Sequence, residues 1–159
     1  MKAATVKQIK DELKHTSQED LINLCLRLSR FKKENKELLT YLLFESHNEA
    51  DYIEGIKEEI SEQFTLINTN SYFYIKKSVR KILRLIKKYV RYSNSKETEI
   101  ELLLYFCEEL KNFKPSIRTN TTLLLIYNRQ IDTIKKKIPT LHEDLQYDFN
   151  LQLEALESS

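Results

Sequence analysis

The stretch SYFYIKKSVRKILRLIKKYVRY, residues 71–92, decides the predicted fold. It carries eight cationic residues and no acidic one. The cations are Lys76, Lys77, Arg80, Lys81, Arg84, Lys87, Lys88 and Arg91. Apolar residues stand between them at intervals of three and four: Tyr72, Ile75, Val79, Ile82, Leu83, Ile86 and Val90. This spacing puts the apolar residues on one side of a helix and most cations on the other. It predicts an amphipathic helix that is central to a core.

Glycine and proline are rare along the whole chain. One glycine and two prolines occur in 159 residues, whereas sheet proteins need both residues at many tight turns. The composition therefore predicts an all-α fold of about eight helices, stacked as antiparallel hairpins in a compact helical bundle or a short HEAT-like array. At this length we expect a single all-helical domain over residues 1–159.

Residues that cap helix N-termini divide the first part of the chain into helices. A first helix over about residues 6–14 is predicted from Thr5 as its cap. A second helix is predicted from Ser17, which has Asp20 three residues later, as in a capping box. A third, over about residues 34–46, carries Leu38, Leu39, Leu42 and Leu43, and Tyr41 and Phe44 widen its apolar surface, so we expect it to be buried on more than one side.

The middle of the chain is divided in the same way. Asn48 or Ser46 is expected to cap a fourth helix over about residues 49–66. After the basic helix, Ser95 is expected to cap a sixth helix that stops before Pro115.

A proline separates the last two predicted helices. A seventh helix over about residues 117–137 ends in three lysines, which suit the negative end of the helix dipole. Pro139 then breaks the pattern, and Thr140 is expected to cap the eighth helix.

Charge is segregated between neighbouring helices. The segment 45–63 sums to −6 and lies directly before the basic helix, which sums to +8. The last helix has an acidic face again. The net charge of the whole chain is only +2, lower than a dedicated nucleic-acid module usually carries.

The basic face has several interpretations. The low net charge favours pairing of the basic helix with the acidic helices or within a dimer. A nucleic-acid site would use the same cations for phosphate contacts, and a membrane-surface helix would need an apolar side free for lipid. A solvated face without a specific partner is the remaining alternative.

The tyrosines next to the basic helix also have two interpretations. Tyr74, Tyr89 and Tyr92 border its cations, and aromatic rings beside cations suit single-stranded nucleic acid. The favoured interpretation is structural: each ring is buried at the edge of the core and each hydroxyl group is in contact with water.

No group of residues indicates a catalytic or metal site. The histidines, His15, His47 and His142, lack partners at the helical spacing that metal sites use. Cys25 and Cys107 lie in apolar stretches, which predicts two buried free thiols. We therefore expect no catalytic residue, no metal, no cofactor and no enzymatic activity.

Membrane and leader segments are not indicated by the sequence. No stretch approaches the about 18 apolar residues that a membrane span needs. The first residues lack the apolar run of a secretory leader. We therefore expect a cytoplasmic protein without a membrane span.

The order of elements resembles a family of uncharacterised all-helical bacterial proteins. The resemblance is carried by the opening hairpin, by the entry to the basic helix over residues 72–77, and by the segment 141–147. It implies an all-helical fold and no particular activity, because none is assigned to that family.

These observations favour a non-enzymatic helical scaffold or protein-interaction domain, with a protein partner or self-association. The alternative function is nucleic-acid binding through the basic helix. The candidate site for an anion or a partner is the same set of eight cations in both cases.

Overall fold

Residues 1–158 are described by the structure, a computed structural model, and within them the chain forms eight α-helices and no strand. The predicted all-α fold is therefore confirmed. The helices are α1 (Val6–Lys14), α2 (Gln18–Phe31), α3 (Lys33–Thr40), α4 (Glu49–Thr65), α5 (Tyr72–Ser93), α6 (Lys96–Asn112), α7 (Thr121–Lys137) and α8 (Glu143–Glu157). The shorter elements are a π-helical turn and two 3₁₀ turns, Tyr41–Glu45, Ile117–Thr119 and Ile138–Thr140.

The chain divides into two compact units, Met1–Phe44 and Glu45–Ser159. The first unit contains α1 to α3, and the second unit contains α4 to α8. The expectation of a single domain over residues 1–159 stays a prediction.

Helix α6 is the centre of the second unit, where it packs against α4, α5, α7 and α8. Its buried side chains are not confined to one stripe, as expected of a helix surrounded by others. They are Thr98, Ile100, Leu102, Leu103, Leu104, Phe106, Cys107 and Leu110. Helix α5, predicted to be a central core helix, buries its apolar side against α4 and α6, whereas α6 buries side chains on more than one side.

The first unit has a different character. None of the side chains of α1, α2 and α3, which the structure describes in full, is buried. Helices α2 and α3 pack as a hairpin, and the Asn35 side-chain amide donates to the Leu28 carbonyl at 2.8 Å across the bend. The hairpin is therefore held by local contacts, while most of its apolar surface meets water.

The predicted third helix is wrong at its end and in its burial. Helix α3 stops at Thr40, and the following π-helical turn buries only Tyr41. Leu42, Leu43 and Phe44 are all exposed. Leu38, which precedes the π turn, is exposed as well, so these apolar side chains are exposed because too few neighbours cover them, and not because the helix type changes.

The predicted helix starts in the first two thirds of the chain are confirmed. Thr5 and Gln8 form a capping box, in which the Thr5 hydroxyl accepts from the Gln8 N–H at 3.3 Å and the Gln8 Oε1 accepts from the Thr5 N–H at 2.9 Å. Ser17, Asn48 and Ser95 each accept the backbone N–H three residues later. Such caps satisfy donors that the first turn leaves without partners.

Two later helix starts differ from the prediction. The seventh helix begins after Asn120, whose Oδ1 accepts a backbone N–H three residues later, rather than at about residue 117. His142, and not Thr140, caps α8, because its Nδ1 accepts from the Asp144 N–H at 3.3 Å. Thr140 belongs to the 3₁₀ turn that follows α7.

None of the helices within residues 1–158 is long and apolar enough to cross a membrane.

Candidate functional site

Both ends of helix α5 are hydrogen-bonded to other elements. At the start, the Tyr72 hydroxyl donates to the Ser116 carbonyl at 3.0 Å and lies 2.8 Å from the Thr119 hydroxyl. At the end, the Ser93 hydroxyl donates to the Glu49 carboxylate at the start of α4. Both ends of the helix are therefore fixed to other elements of the second unit.

The apolar side of α5 is buried as the sequence predicted. Ile75, Val79, Ile82, Leu83 and Ile86 are all buried. The opposite side holds the eight cations from Lys76 to Arg91, which we call the basic face. Six of these cations are exposed and two, Lys76 and Lys88, are half-buried.

Most cations of the basic face have no acidic partner in the second unit. Within residues 45–158, six of the eight form no ion pair: Lys76, Lys77, Arg80, Lys81, Arg84 and Lys87. Lys88 places its ammonium 5.2 Å from the centre of the Tyr89 ring. The internal charge pairing favoured from the sequence is therefore not formed by these six residues within the second unit.

Two acidic residues of α4 accept hydrogen bonds from hydroxyl groups. Glu59 accepts from the Tyr89 hydroxyl at 2.9 Å. Glu49 accepts from the Ser93 hydroxyl and, at 2.7 Å, from the buried Thr98 hydroxyl of α6. These contacts join α4 to α5 and α6.

The acidic last helix is also paired elsewhere. Its Glu157 forms an ion pair with Lys135 of α7, and the adjacent Lys137 pairs with Glu99 of α6 at 2.7 Å. The described ion pair between α8 and another helix therefore joins α8 to the end of α7.

Aromatic side chains occupy both ends of α5. Tyr89 packs edge-on against Tyr52 of α4, with ring centres 6.5 Å apart, and against Tyr92 at 6.2 Å. Phe73 and Tyr74 are exposed and lie edge-to-face at 5.5 Å just before Lys76. The structural interpretation suits Tyr89 and Tyr92, whereas Tyr74 and Phe73 offer rings to solvent next to cations. Phe73 was missed from the sequence because it stands outside the three- and four-residue spacing of the apolar residues of this helix.

A polar cleft of about 280 Å³ lies between α4, α6 and α8. In it the Lys57 ammonium donates to Glu101 at 2.8 Å and to Glu54 at 3.1 Å, above the ring of Tyr105. Burial by itself lowers the pKa of Lys57, but the hydrogen bonds that its ammonium donates to the two carboxylates, with their negative charge, outweigh burial and raise the pKa. Lys57 therefore remains charged and ties α4 to α6, and it does not have the lowered pKa of a nucleophilic lysine.

The two cysteines differ in environment. Cys107 is buried in α6, and desolvation raises the pKa of its thiol to about 12, which keeps it protonated and unreactive at neutral pH. Cys25 is exposed in the middle of α2. The prediction of two buried thiols is wrong for Cys25, since its apolar neighbours in the sequence are themselves exposed.

A second candidate surface is the exposed apolar part of the first unit. Thirteen of the nineteen exposed large apolar side chains in residues 1–158 lie there, and we call them the first-unit apolar surface. They are Met1, Val6, Ile9, Leu13, Ile22, Leu24, Leu26, Leu28, Phe31, Leu38, Leu42, Leu43 and Phe44. Their number exceeds that of the six exposed large apolar side chains in the described residues of the second unit.

Within residues 1–158, no cluster of three or more His, Cys, Asp or Glu side chains could hold a metal ion. The fold and these surfaces define an all-α protein with a basic helix face and an apolar helical first unit. No protein-family model, no curated protein and no solved structure matches the chain.

Proposed function

We propose that this chain is a non-enzymatic protein-interaction domain, in which the second unit is the folded core and the first unit binds a protein partner. The observation that carries the proposal is the first-unit apolar surface. The helices of the first unit bury no side chain, while those of the second bury many.

The size of the first unit supports a role in association. Chains of about 40 residues rarely fold without disulfides, metals or oligomerisation, because too little apolar surface is buried. Helix α1 has nine residues, and isolated helices below about 12–15 residues are marginal in water. A partner that covers the apolar surface would supply the missing stabilisation.

Photo-crosslinking from Phe31 tests the proposal. A benzophenone amino acid in place of Phe31, which is exposed on α2, is expected to give a discrete covalent protein adduct on irradiation of the cell that produces it. The matched control is the same substitution at Leu125, an exposed apolar residue of α7. Equal adduct yields at the two positions, or none from Phe31, would contradict the proposal.

Nucleic-acid binding through the basic face is the second candidate function. It is favoured by six cations without an acidic partner in the described part of the second unit, with the exposed rings of Phe73 and Tyr74 beside them. Cations along a helix contact phosphates, and exposed rings stack on bases without sequence preference.

Salt dependence of binding to a 12-nucleotide single strand tests this second function. Each phosphate contact contributes about −0.7 to the slope of log affinity against log salt for single strands. Arg80→Glu with Arg84→Glu is expected to weaken binding and to reduce the steepness of that slope by at least about 1.4. The control, Lys114→Glu with Lys136→Glu, changes the net charge equally on other exposed residues. Equal slopes for the two variants would exclude the basic face as the site.

A further inference from the structure

We infer that the first unit pairs with the first unit of a second copy of this chain, with the two α2 helices antiparallel about a two-fold axis. The inference rests on the proposed interaction function and names its partner. It is carried by the arrangement of apolar and charged residues on α2.

An exposed apolar stripe runs along one flank of α2. Leu24, Leu28 and Phe31 follow at intervals of four and three residues, so they lie on one side of the helix. Their exposures are 44%, 61% and 77%. This is the spacing of a helix–helix seam, in which the side chains of one helix enter the gaps of another.

Only part of the first-unit apolar surface can face one partner. Ile22 and Leu26 lie on the side of α2 opposite Leu24 and Leu28, because residues two apart in a helix point in nearly opposite directions. A stable interface buries about 800 Å² on each partner. The apolar residues of α3 that line a groove with Leu28 are therefore expected to contribute beside the seam.

The charges of α2 favour an antiparallel copy as the occupant. The first turn of α2 is acidic, with Glu19 and Asp20, and its second half is basic, with Arg27 and Arg30. In an antiparallel pair, the acidic end of each helix lies beside the basic end of the other. A parallel pair would place like charges together, which is unfavourable.

A groove between α2 and α3 offers a receptor for the side chains of the second copy. It has a volume of about 230 Å³ and is lined by Cys25, Leu28, Ser29, Asn35, Leu38, Leu39 and Leu42. This volume lies below the about 300 Å³ at which small-molecule pockets begin. An apolar groove of this size suits leucine or phenylalanine side chains of a facing helix.

Sedimentation velocity on the full chain over a range of concentrations tests the inference. We expect a reversible dimer of twice the 19.0 kDa chain mass. Leu24→Glu with Leu28→Glu is expected to raise the dimer dissociation constant at least about 100-fold, because each new carboxylate would be buried in the seam. Leu125→Glu, which places a charge on exposed α7, is the control and is expected to leave the dissociation constant unchanged.

Charge reversal tests the antiparallel orientation separately. Glu19→Lys with Asp20→Lys is expected to weaken the dimer about tenfold, and so is Arg27→Glu with Arg30→Glu. The variant with all four substitutions is expected to regain the dimer, because opposite charges face each other again. If the fourfold variant is weaker than both double variants, the antiparallel arrangement is wrong.

Crosslinking through Cys25 tests self-association in the unsubstituted protein, so its result does not depend on whether a variant folds. Cys25 is exposed near the middle of α2, so a two-fold axis there brings the two thiols close together. A short bismaleimide is expected to link the chains through Cys25, and Cys25→Ser is expected to abolish the link. A protein that is monomeric at every concentration and is not crosslinked through Cys25 would overturn self-association. In that case a Phe31 adduct to another protein would still support the proposed function.

Discussion

Backbone amides of α6 are expected to exchange with solvent at least about a thousandfold more slowly than those of α1 in the same protein. Exchange in a core helix requires global unfolding, which costs about 5–15 kcal/mol in typical domains, whereas unsupported helices open at almost no cost. Every 1.4 kcal/mol is a factor of ten. Hydrogen exchange followed by mass spectrometry measures both helices in one sample.

The physical reason lies in the burial of the two helices. Helix α6 buries eight side chains and packs on four other helices. Helix α1 buries none, although its capping box with Thr5 and Gln8 is complete. A cap contributes only about 1 kcal/mol, so it defines where α1 begins without making the helix stable.

The experiment is best made with Leu24→Glu and Leu28→Glu, so that association does not add protection. In the unsubstituted protein, protection of α2 is expected to rise with protein concentration if the copies pair. Equal protection of α1 and α6 in the double variant would show that the first unit is stable by itself. That result would remove the main argument for a partner.

The helix pattern was predictable because it depends on neighbouring residues. The caps at Thr5, Ser17, Asn48 and Ser95 are local arrangements of a side-chain oxygen and a backbone N–H three residues later, and the structure confirms all four. Thr140 is not the cap of α8 because it is the last residue of the 3₁₀ turn Ile138–Thr140, which contains Pro139.

Burial was less predictable because it depends on residues far away in the sequence. Leucine-rich patterns occur around both Cys25 and Cys107, yet the first is exposed and the second is buried. The difference is that four helices of the second unit surround α6. A single-sequence pattern shows which side of a helix is apolar, but not whether another element covers it.

The candidate site was only partly predictable, because it too depends on contacts between residues that are far apart in the sequence. The sequence identified the cations of the basic face and their separation from the apolar side of α5. It did not show that Glu49 and Glu59 would accept hydrogen bonds from hydroxyl groups of α5 and α6. Those contacts depend on how α4 packs on its neighbours, which a sequence pattern does not show.

Replacing Phe106 by alanine is expected to lower the free energy of unfolding of the second unit by about 3–5 kcal/mol. Phe106 is 0% exposed in the central helix, and its ring lies 5.9 Å from that of Phe64 in α4. Removing the ring loses its apolar transfer free energy and leaves a cavity that close-packed neighbours fill only in part. Urea unfolding monitored by circular dichroism measures the loss as a lower midpoint at an unchanged slope.

Phe73→Ala is the matched control, because Phe73 carries the same ring on α5 but is 67% exposed. Substitution of a surface residue usually changes the free energy of unfolding by less than about 0.5 kcal/mol. The two variants remove the same atoms, so the difference between them isolates the effect of burial around α6. Equal losses would mean that α6 is not the centre of the second unit's core. A large loss for Phe106 alone, together with rapid exchange in α1, would show that stability is concentrated in the second unit and that the first unit depends on a partner.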